Sequence, residues 1–164
     1  MSSRIARFAC VSPEQWLRDT GSHADYGDLK LPVRATAGSA GYDFYLPTEL
    51  VFKPGETRKI PTGIRCRIDD GWALMIFPRS SLGFKYKLQL DNTVGIIDAD
   101  YYNAENEGHI IIKMTNNSDR ELKLKKHDRF AQGIFVPFGI TEDDDVIRER
   151  TGGFGSTDER EDRK

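Results

Sequence analysis

Gly95-Ile96-Ile97-Asp98-Ala99-Asp100-Tyr101 leads into a polar loop with Asn103, Asn106 and Gly108, and then into the apolar run Ile110-Ile111-Ile112. Val94, Ile96 and Ile97 on one side of the loop, and Ile110, Ile111, Ile112 and Met114 on the other, have the β-branched and apolar composition of strands with a core-facing side. The loop residues accept turn geometry. The segment therefore predicts two paired strands around an acidic turn. A carboxylate at the end of a buried strand, with an aromatic ring a few residues on, suits water activation and ligand stacking. Taken alone, the segment is more simply an ordinary hairpin with a solvated acidic tip, because turns attract Asp and Asn for local hydrogen-bonding reasons.

Outward from this segment the same short-strand pattern recurs. Strands are predicted over residues 41–46, 57–60, 63–68, 72–77, 122–124 and 130–138. The turn signals between them include Lys53-Pro54-Gly55-Glu56, Pro61-Thr62-Gly63, Asp69-Asp70-Gly71 and Asn116-Asn117-Ser118. Strands of this length and spacing predict an all-β sandwich or barrel, because βαβ units would place helical patterns between them. Residues 4–11 read as a further short strand. Ser12-Pro13-Glu14-Gln15 then starts a short helix, with Ser12 as N-cap, Pro13 in the first helical position and Gln15 placed to complete a capping box. Thr20-Gly21-Ser22 ends it.

At 164 residues the chain fits one domain large enough to bury a core. The formal net charge is -2, with a pI near 5.9 and a mean hydropathy of -0.56. That balance supplies no general basic field for DNA or RNA, so an anionic ligand must be met by locally placed cations. Cys10 and Cys66 lie far apart and outside metal-ligand spacing. Both are expected to be small buried hydrophobes in a reducing, cytoplasmic setting. No apolar run approaches membrane-spanning length. Residues 1–150 are expected to form the β domain. Residues 151–164, a Gly-rich stretch and a charged tail, are expected to form a mobile arm.

Two further segments carry candidate chemistry. In Pro78-Arg79-Ser80-Ser81-Leu82-Gly83, a guanidinium and two hydroxyls at a strand end suit phosphate oxygens, although Ser80 capping a one-turn helix fits as well. In Asp128-Arg129-Phe130-Ala131-Gln132, the odd spacing of Arg129 and Gln132 predicts opposite faces of a strand, so that only one reaches a site. His23, His109 and His127 follow no metal or triad spacing and are read as structural.

In order, Ala40-Gly41-Tyr42-Asp43, Pro78 to Gly83, Gly95 to Tyr101, Asp128 to Gln132 and Gly152-Gly153-Phe154-Gly155-Ser156-Thr157 closely resemble the five motifs of the trimeric dUTPase family. The resemblance covers the chain from about residue 30 to 157. It implies a jelly-roll-like β-barrel with one or two short helices, and a homotrimer with active sites shared between subunits. It also implies Mg2+-dependent hydrolysis of dUTP to dUMP and pyrophosphate. Carried over, Asp98 matches the acid that deprotonates the attacking water, and Tyr101 the ring that packs on deoxyribose and excludes a 2'-hydroxyl. Asn92 stands where the family helps a hairpin backbone read uracil. Arg79, Ser80 and Ser81 match phosphate contacts, and Arg129 the partner that braces Asp43. Asp43 and Gln132 match groups that meet the metal through water. Phe154 matches the aromatic of the closing arm, with Gly155, Ser156 and Thr157 beside the terminal phosphates.

The chain also departs from the pattern. A longer acidic loop, residues 102–108, replaces the usual short Arg-Gly-Glu turn. Glu149 occupies the position of the last motif's arginine, which leaves Arg150, or Arg148, for the γ-phosphate. Asp158 replaces a final glycine. Glu107-Gly108-His109-Ile110 resembles a turn found in some dCTP deaminases of the same superfamily, so deamination, alone or combined with hydrolysis, is the alternative chemistry. A nucleotide-sensing protein with a regulatory partner, contacted through residues 102–108 and the segment before Leu31, is a further alternative.

Overall fold

The computed structural model describes residues 4–147. Strand β1 (Ala6–Cys10) leads into helix α1 (Pro13–Thr20). The hydroxyl of Ser12 caps the helix by accepting from the backbone N–H of Gln15, and Gly21, at a φ of 73°, closes it in the left-handed conformation that glycine adopts without steric cost. Short strands follow: β2 (Val33–Arg34), β3 (Tyr42–Tyr45), β4 (Leu50–Phe52), β5 (Thr57–Pro61), β6 (Ile64–Ile68) and β7 (Trp72–Pro78). Helix α2 (Ser80–Tyr86) leads to β8 (Leu88–Leu90), β9 (Gly95–Ile97), β10 (Ile111–Asn116), β11 (Leu122–Leu124) and β12 (Arg129–Pro137).

The strands form antiparallel sheets in the orders β2-β3-β12-β7-β9, β5-β10-β8, β1-β6 and β11-β4. This is the jelly-roll-like all-β architecture, with two short α-helices. Alternation supplies the core. In β6, Ile64, Cys66 and Ile68 are buried while Arg65 and Arg67 point away from them. In β10, Ile112, Met114 and Asn116 are buried in the same way. Phe44, Phe52, Leu74, Leu88, Met114 and Phe130 are sealed from solvent, and each buried side chain of this size contributes roughly 1.5–3 kcal/mol. Asn116 is also sealed. It donates to the carbonyls of Phe52, Lys53 and Arg120, and it accepts from the backbone and hydroxyl of Ser118, so the turn after β10 is satisfied within the core.

The two strands around the acidic loop are not partners. β9 pairs with β7, with Ile96 opposite Met75, whereas β10 pairs with β5 and β8. Residues 98–110 therefore cross from one sheet to another. Apolar runs of this kind state that a strand is buried and not which strand it joins. The cysteines also divide. Cys66 is 1% exposed and burial pushes its thiol up to about 12, whereas Cys10, at the end of β1, is exposed.

Candidate active site

Strand β12 runs between β3 and β7 and brings three distant segments together. Gln132 lies opposite Asp43 on one side and Phe77 on the other. A bulge between Arg129 and Ala131 places an extra residue in β12, so Phe130 and Ala131 are both buried. The bulge resets the alternation. Arg129 and Gln132 thus reach the same side, contrary to the opposite faces that strict alternation predicts.

Arg129 Nη1 donates to Asp43 Oδ2 at 3.1 Å, and Arg79 Nε stands 3.5 Å from Asp43 Oδ1. One largely buried carboxylate therefore aligns two guanidiniums. Arg79 is the N-cap residue of α2, and its carbonyl accepts from Leu82 and Gly83. Ser80 is the first helical residue, not the cap. Gln132 Nε2 donates to the carbonyl of Pro78 at 3.3 Å, and its Oε1 lies against Gly41. Gly41, Asp43, Arg79, Ser80, Ser81 and Gln132 line one cleft of about 330 Å3.

The remaining candidates lie elsewhere on the chain. Asp98, at the end of β9, precedes the 3-10 turn Ala99–Asn103 and accepts there from Tyr101 N–H at 3.2 Å. It lines a cleft of about 500 Å3 with Arg67, Asp70, Asp100 and Phe138. Asn92 occupies the β8–β9 turn, where its carbonyl accepts from Val94 N–H at 2.7 Å. That turn borders an apolar cleft of about 320 Å3 formed by Gly95, Ile97 and Ile110 to Ile112. The three clefts share no lining residue. Tyr101 lines none of them. It is 2% exposed, and its hydroxyl donates to the carbonyl of His109 and accepts from Asn106 Nδ2, both at 2.8 Å. Arg148, Arg150, Phe154, Gly155, Ser156 and Thr157 lie outside the described residues.

Behind Tyr101, the acidic loop is bonded to the N-terminal helix. Glu107 accepts from Ser12 N–H at 2.8 Å and from Ser12 Oγ at 2.5 Å. It takes the place that a capping box would give to Gln15, whose amide donates to Asp19 instead. Burial alone would raise the Glu107 carboxyl, but the two Ser12 bonds, with Arg65 and Arg18 nearby, hold it below its ordinary value. His109 is sealed from solvent. Its Nε2 accepts from Gly63 N–H at 2.8 Å, so Nδ1 carries the proton and donates to Asp19 at 2.5 Å. Burial holds this imidazole below its ordinary pKa, and Asp19 only partly offsets the effect. Arg65 lies over the Tyr102 ring, 3.7 Å from its centre, and donates to the Tyr102 carbonyl. The sequence signals for this assembly were Ser12 as a cap and the acidic loop. Nothing in the sequence linked two segments about ninety residues apart.

The comparisons with known proteins follow the same segments. The dUTPase family model matches residues 28–158. The chain is 44% identical over 132 residues to the deoxyuridine 5'-triphosphate nucleotidohydrolase of Lactococcus lactis, covering 79% of this chain and 88% of that protein. The dUTPase of Streptococcus mutans superposes with a TM-score of 0.66 at 36% identity, over 82% of this chain and 98% of that one. A point mutant of the dUTPase from phage phi11 of S. aureus, described for its coordination of a structural Mg(II) ion, shares the fold. Its TM-score is 0.64 at 20% identity, over 87% of this chain and 97% of that one. With a family model whose match spans all five motif segments, the chain belongs to the dUTPase family.

Proposed function

We propose that the chain hydrolyses dUTP to dUMP and pyrophosphate, as a homotrimer whose active sites draw residues from more than one subunit. The observation that carries this is the gathering of Gly41, Asp43, Arg79, Ser80, Ser81 and Gln132, from three separate segments, into one cleft. Its guanidinium and hydroxyls are the groups that meet phosphate oxygens. The separation of this cleft from those of Asp98 and Asn92 supports sites completed across subunits, because a single chain leaves the three sets of groups apart.

In this mechanism Arg79, Ser80 and Ser81 hold the phosphates, and Arg129 keeps Asp43 in place. Asp98 takes a proton from the water that breaks the bond between dUMP and pyrophosphate. Asn92 and its turn offer backbone groups to uracil. Tyr101 closes the sugar side with a hydroxyl that already has two partners, so a 2'-hydroxyl would be desolvated without compensation there. At 2% exposure, the ring meets a sugar only when the groups covering it give way. Arg150, Phe154, Gly155, Ser156 and Thr157 are the proposed arm over base and phosphates, with residues 1–150 as the β domain and 151–164 as arm and tail.

Mg2+ is the proposed cofactor, met through water by Asp43 and Gln132. Among the described residues, no three His, Cys, Asp or Glu side chains gather into a metal cage. One carboxylate beside a phosphate cleft nevertheless suits an ion that keeps several waters and binds with its substrate's phosphates. When bound, it would neutralise and orient the triphosphate. We place the protein in the cytoplasm, in accord with the free thiols of Cys10 and Cys66. No helix among the described residues is long and apolar enough to cross a membrane.

Pyrophosphate and ammonia measured side by side with dUTP and dCTP test the proposal. Pyrophosphate from dUTP without ammonia from dCTP is the expected result. Ammonia from dCTP without pyrophosphate would assign the deaminase chemistry instead.

A further inference from the structure

Helix α1 lies before residue 28, where the family match begins, yet it is bonded to the turn that bears Asp98. The connection has four steps. Ser12, at the head of α1, gives its N–H and hydroxyl to the Glu107 carboxylate. Asn106, the neighbour of Glu107, donates to the Tyr101 hydroxyl. Tyr101, fixed at its ring end by this bond and by the carbonyl of His109, gives its backbone N–H to the carbonyl of Asp98. A second line runs from α1 through Asp19 to the sealed ring of His109 and on to Gly63 N–H.

The loop needs such an anchor. Glu107 has a φ of 58° and Gly108 a φ of 68°, and the left-handed conformation is costly for a residue with a Cβ, so Glu107 persists there because its surroundings hold it. Gly108 has no room for a side chain, since a Cβ would stand 2.5 Å from the Tyr101 carbonyl oxygen. The loop backbone is thus pressed against the rear of the Tyr101 turn, and the Ser12–Glu107 bonds clamp it there.

We propose that Glu107 is a positioning residue for Asp98, and that α1 with the acidic loop forms a brace setting the aim of that carboxylate. Glu107 touches no substrate in this role. It fixes Asn106, which fixes Tyr101, whose amide fixes the Asp98 carbonyl. The inference rests on Asp98 being the general base.

The test is steady-state dUTP hydrolysis with Mg2+ by the full chain and its variants, with melting temperature recorded for each. In Glu107→Ala, kcat falls roughly tenfold to a hundredfold while KM for dUTP moves less than about twofold, because misplacing a reacting group costs turnover more than binding. Glu107→Gln, whose amide oxygen still accepts from Ser12, recovers part of kcat. A Glu107→Ala protein with lowered melting temperature and wild-type kcat overturns the proposal and leaves Glu107 a structural cap. If Glu107→Ala does not fold, Ser12→Ala is read in the same way: kcat lost at constant KM upholds the brace, and wild-type kcat overturns it. Asp98→Asn separates the two levels. Turnover persisting in that variant removes the general-base reading itself, whereas an inactive Asp98→Asn beside a fully active Glu107→Ala removes the brace alone.

Discussion

Gly41 lies against the side-chain amide of Gln132, so closely that a Cβ on Gly41 would stand 2.7 Å from Gln132 Oε1. The backbone of Gly41 is not in the left-handed region, so an alanine is not strained there in itself. The obstruction falls on the movable end of Gln132, a residue of the proposed phosphate and metal cleft.

Gly41→Ala is therefore expected to fold and to lose function. The displaced amide should lower kcat/KM for dUTP by roughly tenfold or more, with the melting temperature little changed, as misplacing one positioned group does. Pyrophosphate release and thermal melting on the same sample check this. Unchanged kcat/KM would remove the Gln132 amide from the site.

Asp98→Asn should bind dUTP and release little pyrophosphate. An amide is no base, and general-base catalysis contributes about 10²–10⁴ in rate. Equilibrium binding of a non-hydrolysable dUTP analogue, beside single-turnover hydrolysis, separates the two effects.

Arg129→Ala should destabilise the fold by roughly 1–2 kcal/mol, because the Asp43 carboxylate loses the shorter of its two ion-pair partners among the described residues and keeps Arg79 at 3.5 Å. Urea unfolding of variant and wild type measures the difference. Arg129→Lys should restore only part of it, since an ammonium lacks the planar fork.

His109 makes stability depend on pH. Its folded pKa is below the ordinary 6.5, so as pH falls through that value the unfolded chain takes up the proton first. The contribution of neutral His109 is complete above about pH 6.5 and is lost progressively at lower pH, toward the depressed folded value. Protonated, the ring could no longer accept from Gly63 N–H. His109→Gln, which can still donate to Asp19 and accept from Gly63, should lessen the fall in urea midpoint between pH 7.5 and 5.5. An equal fall in both proteins would assign the dependence to other groups.

Much of the strand content was legible because alternation and turn chemistry are local. The predicted strands at 57–60, 63–68 and 72–77 lie within a residue of β5, β6 and β7. Strand partners were not legible, since Ile96 or Ile112 is apolar whichever neighbour it meets. The bulge at Phe130 was also hidden, because two consecutive buried residues read equally as a core strand. Short strands β2, β4 and β8 carry too few residues to show a period. The segments with candidate chemistry were recognisable by residue type and order. Their distribution over three clefts follows from sheet topology, which no single segment encodes. The Ser12–Glu107 bond is a contact between surface segments, and no hydrophobic pattern marks it.

The bulged strand β12 has a consequence for the lifetime of the site. Gln132 is held by ladders on both sides, in a strand whose neighbours Ala131 and Phe130 are sealed from solvent. A local fluctuation cannot release it without separating β12 from β3 or β7, which opens the core. Backbone amides along β12 should therefore exchange with deuterated water only through openings close to global unfolding, whereas those of residues 138–145, beyond the last strand, should exchange early. The phosphate cleft would then persist between turnovers as a permanent fixture of the barrel, and the slow variable in catalysis would lie with the elements that must come to it.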